Sequence, residues 1–458
     1  MLQSIKKHKA VSTIYARLPS RIRLGASVYY SFRKLIKKTG FLSADELASY
    51  QSGQLKRIVA HCWENIRGYR EHWEENNFSP DQLITVSDIE KIPFTTKEMI
   101  RDRLDDFSCT SLRRLRKVST GGSTGIPLSF YQQRRNELIE LAFIHEIWAQ
   151  FYPPIDLKTK RTILRGKKLN GPVGYDPLHG LILSSFDLTG ETIGRYVEAI
   201  EYYKTPLLHA YPSSLHLFTK LVEQLNLKIN HRFQAIMLGS EILYDFQVSQ
   251  IRKVFDAPLV NWYGQGEKTI LAGYCNHNTR YHAFPQYGIT EIITRNDSRA
   301  KSGETGELVG TSFWNYATPF IRYRTRDYAV QGDPYCPECR RHYQLIDEIK
   351  GREHEFIVDK KGKLIALTGV SIVCGSFKEV QQFRFYQETM GEITFRYVKK
   401  PGVVKVDTGF IQKSLKEKIG EFFHINFQEV DEIERTSSGK MMYLVQKLDT
   451  GKFTGDER

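Results

Sequence analysis

The 458-residue sequence lacks the features of several protein classes. It has no uncharged apolar run near the ~18 residues that a membrane-spanning helix needs. Its N-terminal region contains no unbroken apolar segment of the kind that a secretion signal carries. Only six cysteines are present, too few for a disulfide framework in so long a chain. With 41% hydrophobic residues, the composition predicts a globular protein of two or three domains in a reducing, cytoplasmic setting.

Acidic residues are missing from positions 1–40, a segment that contains ten Lys or Arg. The formal charge of the whole chain is +14, so the remainder carries only +4 and gives no reason to expect a nucleic-acid partner. A basic segment interleaved with Tyr, Leu and Ile can lie on an anionic membrane surface. It can equally form a solvated helix face packed on the main domain. The sequence leaves both interpretations open.

Two common nucleotide-binding motifs are absent as well. No G-x-G-x-x-G follows a predicted strand, and no glycine-rich loop ends in Gly-Lys-Ser/Thr. A different loop is present in the segment VSTGGSTGIPLSF (118–130), which holds three glycines and four hydroxyl residues between positions 119 and 125. Glycines allow close approach of the backbone to a ligand, and hydroxyl and amide groups point at oxygen atoms. Alone, such a loop is weak evidence for a ligand site, and a plain mobile turn is the default interpretation.

The hydrophobic pattern predicts an α/β fold. Residues 41–105 are predicted to be helical, with Ser43 as an N-cap and Glu46 completing a capping box. Between 115 and 350, short β-rich runs alternate with helical patterns, which is typical of a sheet covered by helices.

A smaller α+β segment follows, with a strand near GEITFRYV (391–398) and a helix near GFIQKSLKEKIGEFF (409–423). We therefore predict three parts: a basic N-terminal segment (1–40), a large domain of mixed sheets and helices (41–350) and a small mobile C-terminal domain (351–458).

Further motifs follow the loop in order, namely LGSE (238–241), VNWYGQGE (260–267), GETGELVGT (303–311), PFIRYRTRDYA (319–329), GREHEF (351–356) and RTSSGKMM (435–442). This series resembles the adenylate-forming superfamily of acyl-CoA synthetases and adenylation domains. The segment KIPFTTKEMIRD (91–102) is similar to one that is typical of the phenylacetate–CoA ligase branch. Within that branch, the chain looks most like the CapK-type proteins of capsule biosynthesis. The resemblance covers residues 40–447.

The resemblance implies a site for ATP. It assigns the β- and γ-phosphates to the loop residues Thr120, Gly121, Gly122, Ser123, Thr124 and Gly125. It assigns the surroundings of adenine to Gly239, Ser240, Glu241, Tyr263 and Gly264. Ile126 stands where many relatives have a lysine, so one cation of the usual pattern is missing.

Two residues are assigned to the reacting phosphates. Glu267 matches the carboxylate that binds Mg²⁺, a hard oxygen ligand for a hard ion. Lys440 matches the lysine that reaches the acyl carboxylate and the α-phosphate, where an ammonium stabilises the charge that develops as the carboxylate attacks phosphorus.

Three further residues are assigned to the ribose and to the hinge. Asp327 matches the aspartate that accepts both ribose hydroxyls, although Arg326 replaces the usual preceding glycine. Arg352 matches an arginine near ribose and phosphate. Glu355 stands near the hinge position, where Asp or Lys is usual.

A second set of residues has the pattern of a metal site. CPEC (336–339) has zinc-knuckle spacing, and in the resembled branch a Cys and a later His upstream of it look like a zinc half-site. The predicted zinc ligands are Cys275, His282, Cys336 and Cys339. The alternatives are unliganded thiols and a redox pair. A redox C-x-x-C opens a helix, whereas the prolines of GDPYCPECRRH favour a loop. The other three cysteines (Cys62, Cys109 and Cys374) are predicted to lie in the core.

The resemblance therefore predicts an enzyme that activates a small carboxylic acid with MgATP. The acyl-adenylate is passed to the thiol of CoA or of a carrier, or to an amine, in surface-polysaccharide assembly. The implied cofactors are ATP, Mg²⁺ and a structural Zn²⁺. The departures from the family pattern leave an alternative, an inactive relative that acts as a membrane-surface assembly partner through residues 1–40. The expected location is cytoplasmic, or peripheral to the inner membrane surface.

Overall fold

The computed structural model describes residues 9–23, 25–120, 127–374 and 377–453. The helices are α1 (Lys9–Arg17), α2 (Ala26–Thr39), α3 (Ala44–Asn65), α4 (Arg67–Glu75), α5 (Lys97–Asp102), α6 (Asn136–Ala149), α7 (Ile193–Tyr203), α8 (Pro212–Gln224), α9 (Asp245–Val254), α10 (Leu367–Cys374) and α11 (Thr408–Ile419). Short 3-10 helices lie at Ser20–Ile22, Pro80–Gln82, Val86–Lys91, Glu353–Glu355 and Thr450–Lys452.

The strands are β1 (Leu115–Ser119), β2 (Ser129–Gln133), β3 (Arg161–Arg165), β4 (Val173–Asp176), β5 (Gly180–Ser184), β6 (Leu207–Ala210), β7 (Ala235–Gly239), β8 (Leu259–Gly264), β9 (Leu271–Gly273), β10 (Tyr281–Ala283), β11 (Gly288–Ile293), β12 (Thr305–Ser312), β13 (Tyr323–Gln331), β14 (Leu345–Arg352), β15 (Phe356–Val358), β16 (Leu364–Ala366), β17 (Val380–Thr389), β18 (Glu392–Lys399), β19 (His424–Glu429) and β20 (Leu444–Gln446). The predicted α/β class is confirmed, including the C-terminal strand and helix, which are β18 and α11.

The described chain divides into two compact units. The first is formed by Met1–Lys158 with Val260–Ile349, and the second by Thr159–Leu259 with Lys350–Arg458. The last segment of the second unit begins at Lys350, which is the predicted end of the large domain. The division into parts 1–40, 41–350 and 351–458 stays a prediction.

The first unit begins with helices that pack through one face. Ser43 caps α3 as predicted, because its side chain accepts from the Glu46 amide while Glu46 Oε2 accepts from Ser43 N at 2.9 Å. Helix α2 buries Tyr29 and Arg33, and Arg33 Nε pairs with Glu146 Oε2 at 2.9 Å. The packing interpretation therefore holds for α2 of the basic segment, whose exposed residues include Lys34, Lys37 and Lys38.

The sheet of the first unit has the strand order β11-β12-β13-β14-β10-β9-β8, and β1 and β2 form a separate antiparallel hairpin. A core of aromatic and aliphatic side chains joins α3 and α4 to the loops beside this sheet, including Ile58, Tyr69, Trp73, Phe107 and Phe320. Among the described residues, no helix combines the length and apolarity that crossing a bilayer requires.

The second unit contains a mostly parallel sheet with the strand order β7-β6-β3-β5-β4, in which only β4 runs antiparallel to its neighbour. Strands β5, β6 and β7 are buried throughout, as expected for parallel strands covered by helices. Its C-terminal part has a four-stranded sheet of order β19-β18-β17-β20. Phe383, Phe395 and Leu415 lie in the core of this part. The same core includes Phe246 of α9 and Tyr244, the residue that precedes α9.

Candidate active site

The carboxyl ends of the parallel strands collect polar groups at one edge of the sheet in the second unit. Parallel strands end at the same edge, so residues that follow them in sequence become neighbours. Arg165 ends β3, Ser185 follows β5, Tyr211 follows β6, and Ser240 and Glu241 follow β7. This edge is the first candidate site.

Lys440 reaches this edge from a tight turn at residues 436–440. The turn is closed by Gly439 N donating to Thr436 O at 2.8 Å and Thr436 N donating to Lys440 O at 2.9 Å. The Lys440 ammonium donates to the Ser240 carbonyl at 2.7 Å and lies 5.4 Å from the centre of the Tyr211 ring. The structure thus brings Lys440 next to two residues that precede it by at least 200 positions in the sequence.

Arg165 is a second cation at the same place. Its Nη2 donates to Ser240 Oγ at 2.9 Å, its Nη1 lies 3.2 Å from His209 Nε2, and its guanidinium lies 4.4 Å from the Tyr211 ring centre. Among the described residues, no carboxylate lies within ion-pair distance of Arg165. Two cations beside one ring, both donating to Ser240, suit an anionic ligand such as a carboxylate or phosphate.

Glu241 is linked through Ser213 to Met441, the residue after Lys440. Its carboxylate accepts from Ser213 N at 2.9 Å and from Ser213 Oγ at 3.0 Å, and the same Ser213 hydroxyl accepts from Met441 N at 3.3 Å. Burial raises the pKa of Glu241, and the hydrogen bonds from Ser213 and the charge of Lys440 oppose this rise. Glu241 therefore acts on Lys440 as well as standing in the segment predicted to line adenine.

Burial lowers the pKa of Lys440, and the neighbouring charges of Arg165 and Arg352 lower it further, while Glu241 and Glu355 oppose them. Arg352 is thus electrostatically coupled to Lys440, and its amide donates to Glu355 Oε2 at 2.8 Å. The ammonium of a half-buried lysine interacts more strongly with a charge that develops close by than one in bulk water does.

In the first unit, Tyr263 and Asp327 form a pair. Tyr263 Oη donates to Asp327 Oδ2 at 2.5 Å, and Asp327 is only 6% exposed. Gly264 ends β8 directly after the tyrosine. The predicted adenine and ribose residues of this unit are therefore in contact with each other.

Glu267 lies close to the same pair through Tyr323. Tyr323 Oη donates to Glu267 Oε1 at 3.2 Å. Burial raises the pKa of Tyr323, and the charges of Glu267 and Asp327 add to this rise. A protonated tyrosine therefore donates to the carboxylate predicted for Mg²⁺, and the charge of the carboxylate predicted for ribose also favours its protonation.

Arg326, where the usual pattern has glycine, keeps the conformation that glycine favours. Its φ is 61°, in the left-handed region, while its guanidinium donates to Glu98 Oε2 at 3.1 Å and its amide to Glu307 Oε1 at 2.9 Å. Glu98 belongs to the segment 91–102, which also pairs with β13 through Thr95. These contacts hold the strand that carries Asp327 while Arg326 occupies the left-handed conformation.

Only the first residue of the predicted phosphate loop is described, and Gly121, Gly122, Ser123, Thr124 and Gly125 lie outside the described residues, as does Ile126. Thr120 is anchored twice to Leu128, through its amide at 2.9 Å and its Oγ1 at 3.0 Å. A Cβ on Gly266 would lie 3.4 Å from Thr120 Cγ2, so this end of the loop is next to the turn that carries Glu267.

The predicted metal ligands also come together in the first unit. One donor atom from each of Cys275, His282, Cys336 and Cys339 lies within 4.8 Å of every other. His282 Nδ1 lies 3.0 Å from Arg280 O, which directs Nε2 toward Cys339 Sγ at 3.4 Å. Hydrogen bonds from Cys339 and His282 hold the pKa of Cys275 well below its usual range. The C-x-x-C segment lies in a turn, as predicted, and the remaining three cysteines are buried.

Sequence reasoning missed several residues of the sheet edge. Arg165, Gly166, Ser185 and Ser213 contact Ser240, Glu241 or the Lys440 turn. A usable signal was present, since RTILRG, GLILSS and PLLHAYPS each place polar or small residues directly after a buried parallel strand.

Comparison with known proteins finds a matching family model and several similar chains. The family described as "CapK C-terminal domain" matches residues 357–447. Protein CapK of Staphylococcus aureus is 23% identical over 423 residues, which cover 88% of this chain and 90% of that protein. The phenylacetate-coenzyme A ligase of Escherichia coli (strain K12) is 25% identical over 331 residues, covering 69% and 73%.

A solved structure also shares the fold. The crystal structure of 2-hydroxyisobutyryl-CoA ligase in complex with 2-HIB-AMP matches with a TM-score of 0.73 at 17% identity, and the match covers 90% of this chain and 92% of that one. The predicted resemblance and the predicted fold class are confirmed.

Proposed function

We propose that this chain, a relative of CapK and of the phenylacetate–coenzyme A ligases, is an AMP-forming ligase that activates a carboxylic acid with MgATP. The proposal depends on the position of Lys440 at the sheet edge. Its ammonium lies 2.7 Å from Ser240 O, close to Arg165 and Tyr211. A cation held at that edge suits the attack of one anion, a carboxylate, on another, the α-phosphate.

Two steps follow from this chemistry. The carboxylate oxygen attacks the α-phosphorus and pyrophosphate leaves, which gives an acyl-adenylate. A thiol then attacks the acyl carbon, and AMP leaves with the carboxylate oxygen that made the bond. Lys440 and Arg165 neutralise charge at the reacting anions, and Asp327 holds the ribose hydroxyls.

The residues present fit Mg²⁺. Glu267 supplies a hard carboxylate oxygen, and it directly follows Gly266, where an added Cβ would lie 3.4 Å from Cγ2 of Thr120, the first residue of the proposed phosphate loop. When bound, Mg²⁺ neutralises phosphate charge. The partly exposed Glu267 side chain is oriented by the hydroxyl of Tyr323.

The experiment that tests the function is ATP–pyrophosphate exchange with a panel of carboxylic acids, since reversible formation of an acyl-adenylate returns labelled pyrophosphate to ATP only when the acid is present. We expect exchange that depends on one class of acid. Absence of exchange across aliphatic, hydroxylated and aromatic acids would contradict the proposal.

The acceptor is proposed to be the thiol of CoA, by likeness to the coenzyme A ligases. A carrier thiol or an amine is the other option, and the likeness to CapK supports a place in surface-polysaccharide assembly. A comparison of CoA, a phosphopantetheine-bearing carrier and amino sugars as consumers of the acyl-adenylate decides among them.

We further propose that the Cys/His cluster holds a structural zinc ion. Three sulfur ligands and one nitrogen ligand within 4.8 Å of one another fit the tetrahedral site that Zn²⁺ prefers, with bond lengths of about 2.0–2.3 Å. The backbone partner of His282 supplies the outer contact that such a ligand needs.

Replacing Cys336 or Cys339 with serine is expected to remove about one zinc per chain and to lower the melting temperature, because a closed site contributes folding free energy. Elemental analysis and thermal unfolding are the measurements. Cys109→Ser is the matched control and should retain the metal, since Cys109 belongs to a different buried core from the cluster. Purified wild-type protein without stoichiometric metal would contradict the assignment.

The basic N-terminal segment is proposed to rest on an anionic membrane surface at the cytoplasmic face. The exposed side of α2 carries Lys34, Lys37 and Lys38, and Ile14 and Ile22 are 66% and 65% exposed. Lysines attract anionic lipid, and exposed isoleucines can enter the interface.

Changing Lys34, Lys37 and Lys38 together to glutamate is expected to weaken binding to phosphatidylserine vesicles by at least about tenfold, since each charge near the surface contributes about 1 kcal/mol. Vesicle co-sedimentation measures this, with neutral vesicles as the control. Pyrophosphate exchange should be unaffected, because these side chains are exposed. Unchanged vesicle binding would assign the whole segment to packing.

A further inference from the structure

Two glycines of the second unit face each other where the Lys440 turn meets the sheet edge. A Cβ on Gly166 would lie 1.8 Å from Ser438 O, 2.4 Å from Ser438 C and 2.9 Å from Gly439 N. A Cβ on Gly439 would lie 2.5 Å from Gly166 Cα and 2.6 Å from Ser185 Oγ. The obstructing atoms at Gly166 are all backbone, so no change of side-chain rotamer can make room.

The reasons for glycine differ at the two positions. Gly439 has φ +80°, a left-handed conformation that the turn itself requires. Gly166 is not among the glycines with positive φ, so its backbone is one that any residue can adopt. A glycine is therefore needed at 166 only because Ser438 and Gly439 approach it.

Hydrogen bonds around this contact also hold the turn 436–440 against the sheet edge. Gly439 O accepts from Ser185 Oγ at 3.1 Å and from Arg435 Nη1 at 3.1 Å, and Met441 N donates to Ser213 Oγ at 3.3 Å. The next residue after Gly439 is Lys440, whose ammonium then lies 2.7 Å from Ser240 O. The distance between the turn 436–440 and Gly166 therefore determines the position of the Lys440 ammonium.

We propose that Gly166 is a positioning residue for the first half-reaction, because the close approach that only glycine permits lets the turn 436–440 place Lys440 at the reacting anions. The inference rests on the proposed function and adds to it a residue that contacts neither nucleotide nor acid. A methyl group at 166 would lie 1.8 Å from Ser438 O, whereas Cβ atoms in proteins keep at least 3.0 Å from their neighbours, so the turn must move away from residue 166. A displacement of about 1 Å in a catalytic group typically costs about 10²-fold in rate.

The test is Gly166→Ala, with Gly190→Ala as the matched control because a Cβ on Gly190 meets nothing within 4 Å. We expect Gly166→Ala to lower acid-dependent pyrophosphate exchange by about 10²-fold. Consumption of pre-made acyl-adenylate with CoA should stay within about twofold of wild type, since Lys440 acts on the phosphate only in the first step.

A double-variant cycle separates positioning from general damage. If Gly166 acts through Lys440, adding Gly166→Ala to Lys440→Ala should cause no further loss of exchange. Additive losses, equal losses in both half-reactions, or full activity of Gly166→Ala would each overturn the inference.

Two further measurements cover poor folding and an unidentified acid. Ser185→Ala adds no atoms and removes one hydrogen bond to Gly439 O, so it should slow the first half-reaction alone by about 2–10-fold. Amide hydrogen exchange of the peptide spanning 436–443 should be faster in Gly166→Ala than in Gly190→Ala, whether or not a substrate is known. Equal protection in both variants would show that Gly166 does not dock the turn. A different pair of results would contradict the proposed function alone. In that case the wild-type protein is inactive with every acid, whereas Gly166→Ala still loses the hydrogen-exchange protection of 436–443.

Discussion

Lys440→Ala is expected to slow acyl-adenylate formation by about 10²–10³-fold, the loss that follows removal of one charge partner of a transition state. The ammonium lies 2.7 Å from Ser240 O, to whose side chain Arg165 donates, so the substitution removes a cation that the proposed function places at the reacting anions. In the family that the chain resembles, the small domain takes different orientations in the two steps. Pre-made acyl-adenylate with CoA should therefore be consumed at close to the normal rate.

Separate assays of the two half-reactions measure this division. Lys418→Ala is the matched control, because Lys418 is an exposed lysine of α11 in the same C-terminal part. Equal damage to both half-reactions would refute the division, and no damage to either would make Lys440 a surface residue.

Asp327→Asn should weaken binding of ATP and of the acyl-adenylate alike, by about 10²-fold. The substitution replaces the charged acceptor proposed for two ribose hydroxyls, and a hydrogen bond to a charged group contributes about 1.5–3 kcal/mol. Asn is nearly the same size and keeps the side-chain oxygen, so Tyr263 retains an acceptor in place of Asp327 Oδ2.

The measurements are the KM for ATP and the dissociation constant of a non-hydrolysable acyl-adenylate analogue. Unlike Lys440→Ala, Asp327→Asn should impair both half-reactions, because the ribose contact persists in both. The exposed Asp256→Asn is the control. Unchanged affinity for both ligands would remove Asp327 from the ribose site.

The fold was predictable from the sequence because local patterns and tertiary structure agree in this chain. Ser43 and Glu46 form the capping box that their spacing predicts, and the runs at 180–186 and 234–240 form the buried strands β5 and β7. The zinc-type cluster was predictable for a different reason, since CPEC fixes two ligands locally and the resemblance supplies the other two.

The residues around Lys440 were less predictable because their role depends on contacts between distant segments. Gly166 has an ordinary backbone, and only the approach of Ser438, 272 positions later, shows why it lacks a side chain. Ser213 carries no motif, yet its hydroxyl joins Glu241 to the amide of Met441. Arg326 departs from the pattern of the resembled family, and its φ of 61° lies in the left-handed region that glycine adopts most readily.

The central claim is that a carboxylate of the substrate attacks the α-phosphorus of ATP, and isotope transfer tests it most directly. The acid identified by pyrophosphate exchange is labelled with ¹⁸O in its carboxylate and turned over once with ATP and CoA. The account predicts AMP that carries one ¹⁸O atom, together with unlabelled pyrophosphate. Label in inorganic phosphate with ADP as the product, or AMP without label, would contradict it.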